Sequence, residues 1–443
     1  MHLVIIGNGI AGITAARHVR QQNADVQITV ISAESDHFYS RTALMYVFMG
    51  HLRYEHTKPY EDWFWAKNRI DLKRAYVNRI DTATKTVHCD DGMALTYSAL
   101  VIATGSSPSR FGWPGQDAVG VQGLYGLPDL ATMERDTTGA PGQGVKQAVV
   151  VGGGLIGVEM AEMLHSRGIA VTMLVRDATY WRSTLPPEEG ALIGQHLRNH
   201  HIELCVETEL REILPDASGR VRAVITTKGD EIPAQFVGLA VGVVPNVGFL
   251  AGSGIEVNKG VLVNEFFETN VPDVYAIGDC NEFAVNVLGS DGAARKPIEQ
   301  IWYTGRMHGE TLARTLCGQR TAYRPGVFFN SAKFFDIEYQ TYGTMNATLA
   351  PGESTFFWQH PHKNECLRIN YRTDDQAVVG IHALGLRLRH AICERWILEQ
   401  RPVDKVLEYL RVADFNPEFS PFPKVAPTML NQGRKTWLQR LFA

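Results

Sequence analysis

A chain of 443 residues is too long for one ordinary hydrophobic core, so two or three domains are expected. Its 45% hydrophobic and 20% charged residues read as a globular protein, and a formal charge of −4 gives no basis for nucleic-acid binding. No apolar run reaches the roughly eighteen residues that a membrane-spanning helix needs, and a strand-like start leaves no room for a signal peptide, so a cytoplasmic location is expected.

Residues 1–32 read as strand, helix, strand: Leu3–Ile6, a helix from Gly12 to about Gln21, then Val26–Ile31. Between strand and helix stands Gly7-Asn8-Gly9-Ile10-Ala11-Gly12, a dinucleotide-binding fingerprint. The first glycine allows a tight turn, the second admits a pyrophosphate to the backbone, and the third packs helix on strand. The helix N-terminus then offers N–H groups and a positive dipole end to phosphate. An acid for the adenosine ribose is due about 20 residues later, and Glu34 is the candidate. Residues 37–75 are aromatic-rich, mostly core or packing. Residues 75–102 alternate as strands around an Asp-Asp-Gly turn at 90–92, and Val77 is expected to touch the cofactor. They end in Ala103-Thr104-Gly105.

A breaker-rich loop, residues 137–147, precedes a second fingerprint. Gly152-Gly153-Gly154-Leu155-Ile156-Gly157 follows the strand-like Ala148–Val151 and opens a helix from Ile156 to Ser166, then a strand Ala170–Val175. Two fingerprints in one chain imply two nucleotide cofactors with electrons passing between them. Residues 203–245 look like a β-meander ending in Gly238-Leu239-Ala240-Val241-Gly242. A strand then enters the turn Gly278-Asp279, followed by a helix from roughly Ile298 to Cys317. After about Tyr323 strands run through Val379 and a helix spans about Leu384 to Glu399, a third domain.

The six cysteines, at 89, 205, 280, 317, 366 and 393, form no C-x-x-C or C-x₄-C pair, which excludes a closely spaced redox disulfide. His196, His200 and His201, and the pair His360 and His362, have no matched acid or cysteine set, so no metal site is expected. The strand Val171–Val175 ends in Arg176, with no carboxylate to repel a 2′-phosphate; Arg176 can pair with one, although Asp177 follows it. The expected donor is NAD(P)H, leaning to NADPH. The tail, residues 421–443, carries Lys424, Arg434, Lys435 and Arg440 among Trp437, Leu438, Leu441 and Phe442. It reads as a dimer-docking segment, with a membrane or partner contact as the alternative.

Together these elements resemble the pyridine nucleotide–disulfide oxidoreductases, the two-dinucleotide-binding flavoproteins. The motifs that carry the resemblance are Gly7-x-Gly9-x-x-Gly12, Ala103-Thr104-Gly105, Gly152-x-Gly154-x-x-Gly157-x-Glu159 and Tyr275-Ala276-Ile277-Gly278-Asp279, in order across residues 1 to about 320. The resemblance implies an α/β fold with two Rossmann-like domains, the FAD domain (1–115 and 245–323) split around an inserted NAD(P)H domain (116–244). Residues 324–443 look like the α+β dimerisation domain of NADH oxidases, implying a homodimer. It further implies that Asp279 meets the flavin's ribityl–pyrophosphate region, that Ala103–Gly105 close the FAD site, and that Glu159 lies near the nicotinamide. The remaining expected cofactor contacts are Gly153, Gly154, Leu155, Ile156 and Gly242.

The departure from the family is Phe38-Tyr39-Ser40-Arg41-Thr42-Ala43-Leu44-Met45-Tyr46, where Arg41 stands in the place of the redox cysteine. This stretch is closer to rubredoxin reductases and nitrite-reductase flavin domains, which often carry a lysine near the flavin at the place of Tyr46. Glu159, Arg41 and Tyr46 are the expected catalytic residues. Without a cysteine relay, reduced flavin must discharge to an external acceptor, and an iron–sulfur carrier is the expected one. The alternatives are an interaction protein like apoptosis-inducing factor and a membrane-surface quinone reductase.

Overall fold

The computed structural model describes residues 1–138 and 144–416. The described chain divides into two compact units. The first holds Met1–Leu174, Glu209–Val287 and Ala294–Arg324; the second holds Val175–Thr208, Leu288–Ala293 and the described residues from Pro325 on.

The first unit contains both Rossmann-like lobes. In the first lobe five parallel strands lie in the order Val274–Ala276, Ala99–Ile102, His2–Ile6, Gln27–Ser32, Ile70–Arg74. All four residues of Ala99–Ile102 are buried, as parallel strands covered on both faces must be. The helix Ile10–Gln22 follows His2–Ile6, and Trp302–Leu316 packs against it; a Cβ on Gly309 would collide with the Ala11 carbonyl, so the two helices meet at backbone distance. Arg20, in the last turn of Ile10–Gln22, donates to the carbonyls of Asn23, Ala24, Val26, Asn68 and Arg69, which collects chain ends at the negative end of the helix dipole.

In the second lobe the parallel strands Ala170–Leu174, Gln147–Val151, Phe236–Leu239 and Val121–Gln122 are neighbours in that order. The expected meander resolves into an antiparallel sheet, Leu210–Pro215, Val221–Thr226 and Glu231–Pro233, followed by Phe236–Leu239 in the Rossmann sheet. Ser106–Pro108 and Val243–Pro245, the two crossings between lobes, pair antiparallel. The helix Leu127–Thr137 was not foreseen. Asp129 accepts from the N–H groups of Tyr125 and Gly126 and so starts it.

The second unit is built on an antiparallel sheet, Phe329–Phe334, Ile337–Gly343, Val378–Leu384, Cys366–Arg372, Glu353–Gln359, in that order. Trp396, Ile397 and Val406 from the helices His390–Leu398 and Val403–Glu408 share its core with Ile369 and Ile381. The expected helix from Leu384 begins only at His390, because Leu384 still pairs in the sheet and Gly385 turns the chain at φ +65°. Val175–Thr208, read from sequence as part of the NAD(P)H domain, belongs to this unit. Its helix Pro187–Asn199 is held by a buried ion pair: Arg368 contacts Glu189 at 2.6 Å and Glu188 at 2.7 Å. Removing one partner of such a pair leaves a buried charge, a loss of about 3–5 kcal/mol. The acid that the sequence near His196 and His200 lacks arrives from a distant turn: Asp336 lies 2.6 Å from His196 Nε2.

Among the described residues no helix is long and apolar enough to cross a membrane. The basic tail, residues 421–443, lies outside the described residues, and with it the expected docking or membrane contact.

Candidate functional site

The first unit encloses a cavity at the C-terminal edge of the first parallel sheet. Gly7 leaves the strand His2–Ile6 at φ +112°, and a Cβ there would fall on the Ala103 carbonyl. Only glycine fits this turn. Next along the chain, Gly9 is extended, has open space where a Cβ would stand, and precedes a helix that no side chain caps. Uncapped N–H groups, a dipole end and room above the backbone make an anion site. Gly7, Gly9, Ile10 and Ala11 all line the cavity, while Gly12 packs behind them against the Gly7 carbonyl.

Ala103, Thr104, Gly105, Val77, Gly278 and Asp279 line the same cavity, as the motifs imply. Gly105, at φ +68°, makes room for a residue that sequence reading missed: a Cβ there would lie 2.7 Å from the Tyr125 hydroxyl. Tyr125 donates to Asp279 Oδ2 at 3.0 Å and accepts from the Ser106 N–H at 2.9 Å. Burial pushes the Asp279 carboxyl above its usual range, against the opposing pull of the Tyr125 hydrogen bond and the Arg41 charge. No local pattern marks Tyr125; it stands 154 positions from the carboxylate it meets.

Glu34 and Arg41 both border the cavity, but they serve each other. Arg41 contacts Glu34 Oε2 at 2.7 Å, donates to Glu34 Oε1 at 3.0 Å and to the Tyr125 carbonyl at 2.7 Å, and its guanidinium lies 4.5 Å from the Tyr125 ring centre. Glu34 also accepts from the Tyr39 hydroxyl and, at 2.9 Å, from Leu127 N–H at the start of the helix Leu127–Thr137. Burial raises the Glu34 carboxyl, but the Arg41 charge and the hydrogen bonds from Arg41, Tyr39 and Leu127 outweigh it and hold the group below its ordinary range. Glu34 lines the cavity as expected, and its oxygens are also engaged by Arg41, Tyr39 and Leu127. Arg41 is likewise a paired cation rather than a free one.

Tyr46 requires a correction. The helix Leu44–Phe48 turns Leu44 and Met45 to the cavity, and Tyr46, one residue and about 100° further round, stacks on His51 at 6.3 Å instead. Arg167 fixes this helix: it donates to the Phe48 carbonyl at 3.0 Å, covers the Phe48 ring at 3.9 Å and pairs with Glu134 at 2.6 Å.

From the second lobe, Ile156 and Glu159 of the helix Leu155–Ser166 line this same cavity. Burial, helped by the nearby Glu162 charge, raises the Glu159 carboxyl to about 7. Gly153, Gly154 and Leu155 form the second glycine turn, outside the cavity lining; its Gly152 has φ +114° and abuts the Ala240 carbonyl as Gly7 abuts Ala103. Gly242, at φ +100°, also stands off the lining. Arg176 lies in the second unit, its side chain 71% exposed and 3.9 Å from Asp177. None of the six cysteines lines the cavity.

The pattern of the family described as pyridine nucleotide-disulphide oxidoreductase matches residues 1–309. A nitrite reductase [NAD(P)H] of Bacillus subtilis (strain 168) is 31% identical over 348 residues, 78% of this chain and 41% of the relative. The chain thus spans about two fifths of that protein's length. The ferredoxin–NAD(+) reductase component of the biphenyl dioxygenase system of Paraburkholderia xenovorans (strain LB400) is 31% identical over 278 residues, 62% of this chain and 66% of the relative. Among solved structures, an NAD-dependent persulfide reductase from A. fulgidus superposes with a TM-score of 0.84 at 24% identity, covering 98% of this chain and 83% of that one, a likeness of fold. The chain belongs to the pyridine nucleotide-disulphide oxidoreductase family.

Proposed function

We propose that this chain is an FAD-dependent NAD(P)H oxidoreductase that passes electrons to an external iron–sulfur carrier of the ferredoxin or rubredoxin type. The observation that carries the proposal is the shared cavity. Gly9 and Asp279 of the first lobe and Ile156 and Glu159 of the second face one space, and no cysteine borders it. This shared lining supports the reading that the two nucleotides meet in one space and exchange electrons directly, without a thiol relay.

The residues present fit FAD. The uncapped start of Ile10–Gln22, with open space over Gly9, suits the pyrophosphate. The Asp279 carboxylate suits a sugar-chain hydroxyl, and Phe38 and Val77 give apolar walls for flat rings. When bound, FAD supplies two-electron acceptance from NAD(P)H and the one-electron release that an iron–sulfur carrier requires. The chain's own groups bind and orient. Tyr125 holds Asp279 in place, and the neutralised Glu34–Arg41 pair holds Tyr125. Glu159, pushed up to about 7 by burial and by Glu162, is poised to hold or give up a proton at its carboxyl near neutral pH.

Kinship with a ferredoxin–NAD(+) reductase component supports the iron–sulfur acceptor. We propose both NADH and NADPH as donors, because the exposed Arg176 beside Asp177 gives no added weight to NADPH. On this reading FAD lies on residues 1–115 and 245–323 and NAD(P)H on 116–244 less Val175–Thr208, and residues from 324 on form a cytoplasmic homodimer.

Anaerobic stopped-flow mixing tests the acceptor. Protein reduced by NAD(P)H is mixed with a ferredoxin, a rubredoxin, a quinone or oxygen, and flavin reoxidation is followed. Fastest reoxidation by an iron–sulfur protein is the expected result; faster discharge to quinone or oxygen overturns the acceptor assignment.

A further inference from the structure

Away from the cavity, the second unit gathers three metal-ligating side chains that the sequence keeps far apart. His196 and His200 stand at i and i+4 at the end of the helix Pro187–Asn199, so they share one face. The tight turn between the strands Phe329–Phe334 and Ile337–Gly343, made by Phe335 at φ +56° and Asp336, is laid against that face. Asp336 Oδ1 lies 2.6 Å from His196 Nε2 and 3.8 Å from His200 Nε2, and one ligand atom from each of the three residues falls within 4.8 Å of the others.

The surroundings of these side chains point to a bound cation rather than to packing alone. His196 is 3% exposed, and its Nε2 is met by the Asp336 oxygen at 2.6 Å in an ion pair whose angle falls short of a hydrogen bond, so a cation held by both atoms would satisfy them. His200 Nδ1 lies 3.0 Å from the His196 carbonyl, a group that only accepts, so the proton sits on Nδ1 and the Nε2 lone pair is free to point at an ion. The other His196 nitrogen, Nδ1, lies 3.0 Å from the Asn364 amide, which in either orientation can serve it as acceptor or donor and so fix the ring. This is the outer-shell arrangement that metal-bound imidazoles use. The Phe335 ring, 4.5 Å from that of His200, shields one side. Asp336 is 76% exposed, which leaves an entry path and an open coordination position.

We propose that His196, His200 and Asp336 form a binding site for a divalent first-row transition ion, zinc foremost. Two imidazole nitrogens and one carboxylate suit such an ion; magnesium and calcium require oxygen-rich shells that this set lacks. Metal–ligand bonds of about 2.0–2.2 Å in a tetrahedral shell put ligand atoms about 3.3 Å apart. Two of the three spacings, 2.6 and 3.8 Å, bracket that value and the third lies within 4.8 Å, so side-chain adjustment at the three residues would close the shell. The ion would staple the helix Pro187–Asn199 to the turn at Asp336.

The test uses the full-length, untagged, chelator-treated protein. Co²⁺ is titrated while visible d–d bands are recorded, Zn²⁺ competes it away, and Mg²⁺ and Ca²⁺ serve as controls. His200→Ala and Asp336→Asn are chosen because both positions reach solvent, and His362→Ala, at the other histidine pair, is the control. One Co²⁺ or Zn²⁺ per chain is expected, with affinity falling at least about tenfold in His200→Ala and in Asp336→Asn and unchanged in His362→Ala. Zn²⁺ should raise the unfolding temperature of the wild type and not of those two variants. Absence of tight Co²⁺ and Zn²⁺ binding in the wild type, or equal binding by His200→Ala and Asp336→Asn, overturns the site.

Discussion

Glu159 should destabilise the flavin-free protein at alkaline pH, and its replacement by glutamine should relieve that cost. Its carboxyl is raised from 4.5 to about 7, by burial first and by Glu162 second. A group raised in the folded state contributes stability that is fully present below the unfolded value and is lost as pH rises through the folded one. At about 1.36 kcal/mol per unit the full shift is worth about 3.4 kcal/mol. Glu159 edges a cavity that solvent can enter, so roughly half of this is expected, about 1–2 kcal/mol. Glu159→Gln should therefore gain about 1–2 kcal/mol over wild type at pH 8, with the gap closing towards pH 4.5. Urea unfolding of both flavin-free proteins between pH 5 and 8 measures this, and the difference between them isolates Glu159 from other titrating groups. A gap that is flat with pH, or one that widens towards acid, refutes the reasoning. If the gap behaves as expected, the acid is kept at a cost to stability, which is what a functional position predicts.

Arg41→Met should cost about 2–3 kcal/mol, less than a fully buried pair, because the Arg41 and Glu34 side chains are 28% and 23% exposed. The double variant with Glu34→Gln should cost less than the sum of the singles in the same unfolding assay. The wild-type contribution of this pair should be present above pH 4.5 and be lost as pH falls through the depressed Glu34 value. Replacing all six cysteines by serine or alanine should leave flavin reduction by NAD(P)H intact, and the thiol titre of wild type should not change on reduction. Arg176→Ala should lower NADH and NADPH efficiency equally and little, because Arg176 is 71% exposed beside Asp177; a selective NADPH loss of roughly tenfold or more, as a charge-assisted phosphate contact implies, would contradict this.

Much of the first unit was legible because its constraints are local. Gly7 and Gly152 need positive φ and sit against a neighbouring strand's carbonyl, so their spacing alone announces the turn. Strand positions follow from short apolar runs such as Ala99–Ile102. What stayed hidden depends on residues distant in sequence. Tyr125 reaches Asp279, and Asp336 reaches His196, only through the completed fold. Glu34 was found by spacing and lines the cavity, but its partners Arg41 and Leu127 come from outside any local pattern. Tyr46 was misplaced by one step of a short helix, a phase that the packing of Phe48 on Arg167 sets. Val175–Thr208 groups with the second unit, where Glu189 meets Arg368, 179 positions away, a pairing that no local pattern signals.

The most direct test of the central claim is an anaerobic titration of the purified protein with NAD(P)H. The account predicts a yellow protein with one FAD per chain, bleached completely by a single NAD(P)H equivalent, and loss of the flavin in Asp279→Ala. A colourless protein that cannot be reconstituted with FAD, or a second equivalent taken up by a disulfide, would contradict it.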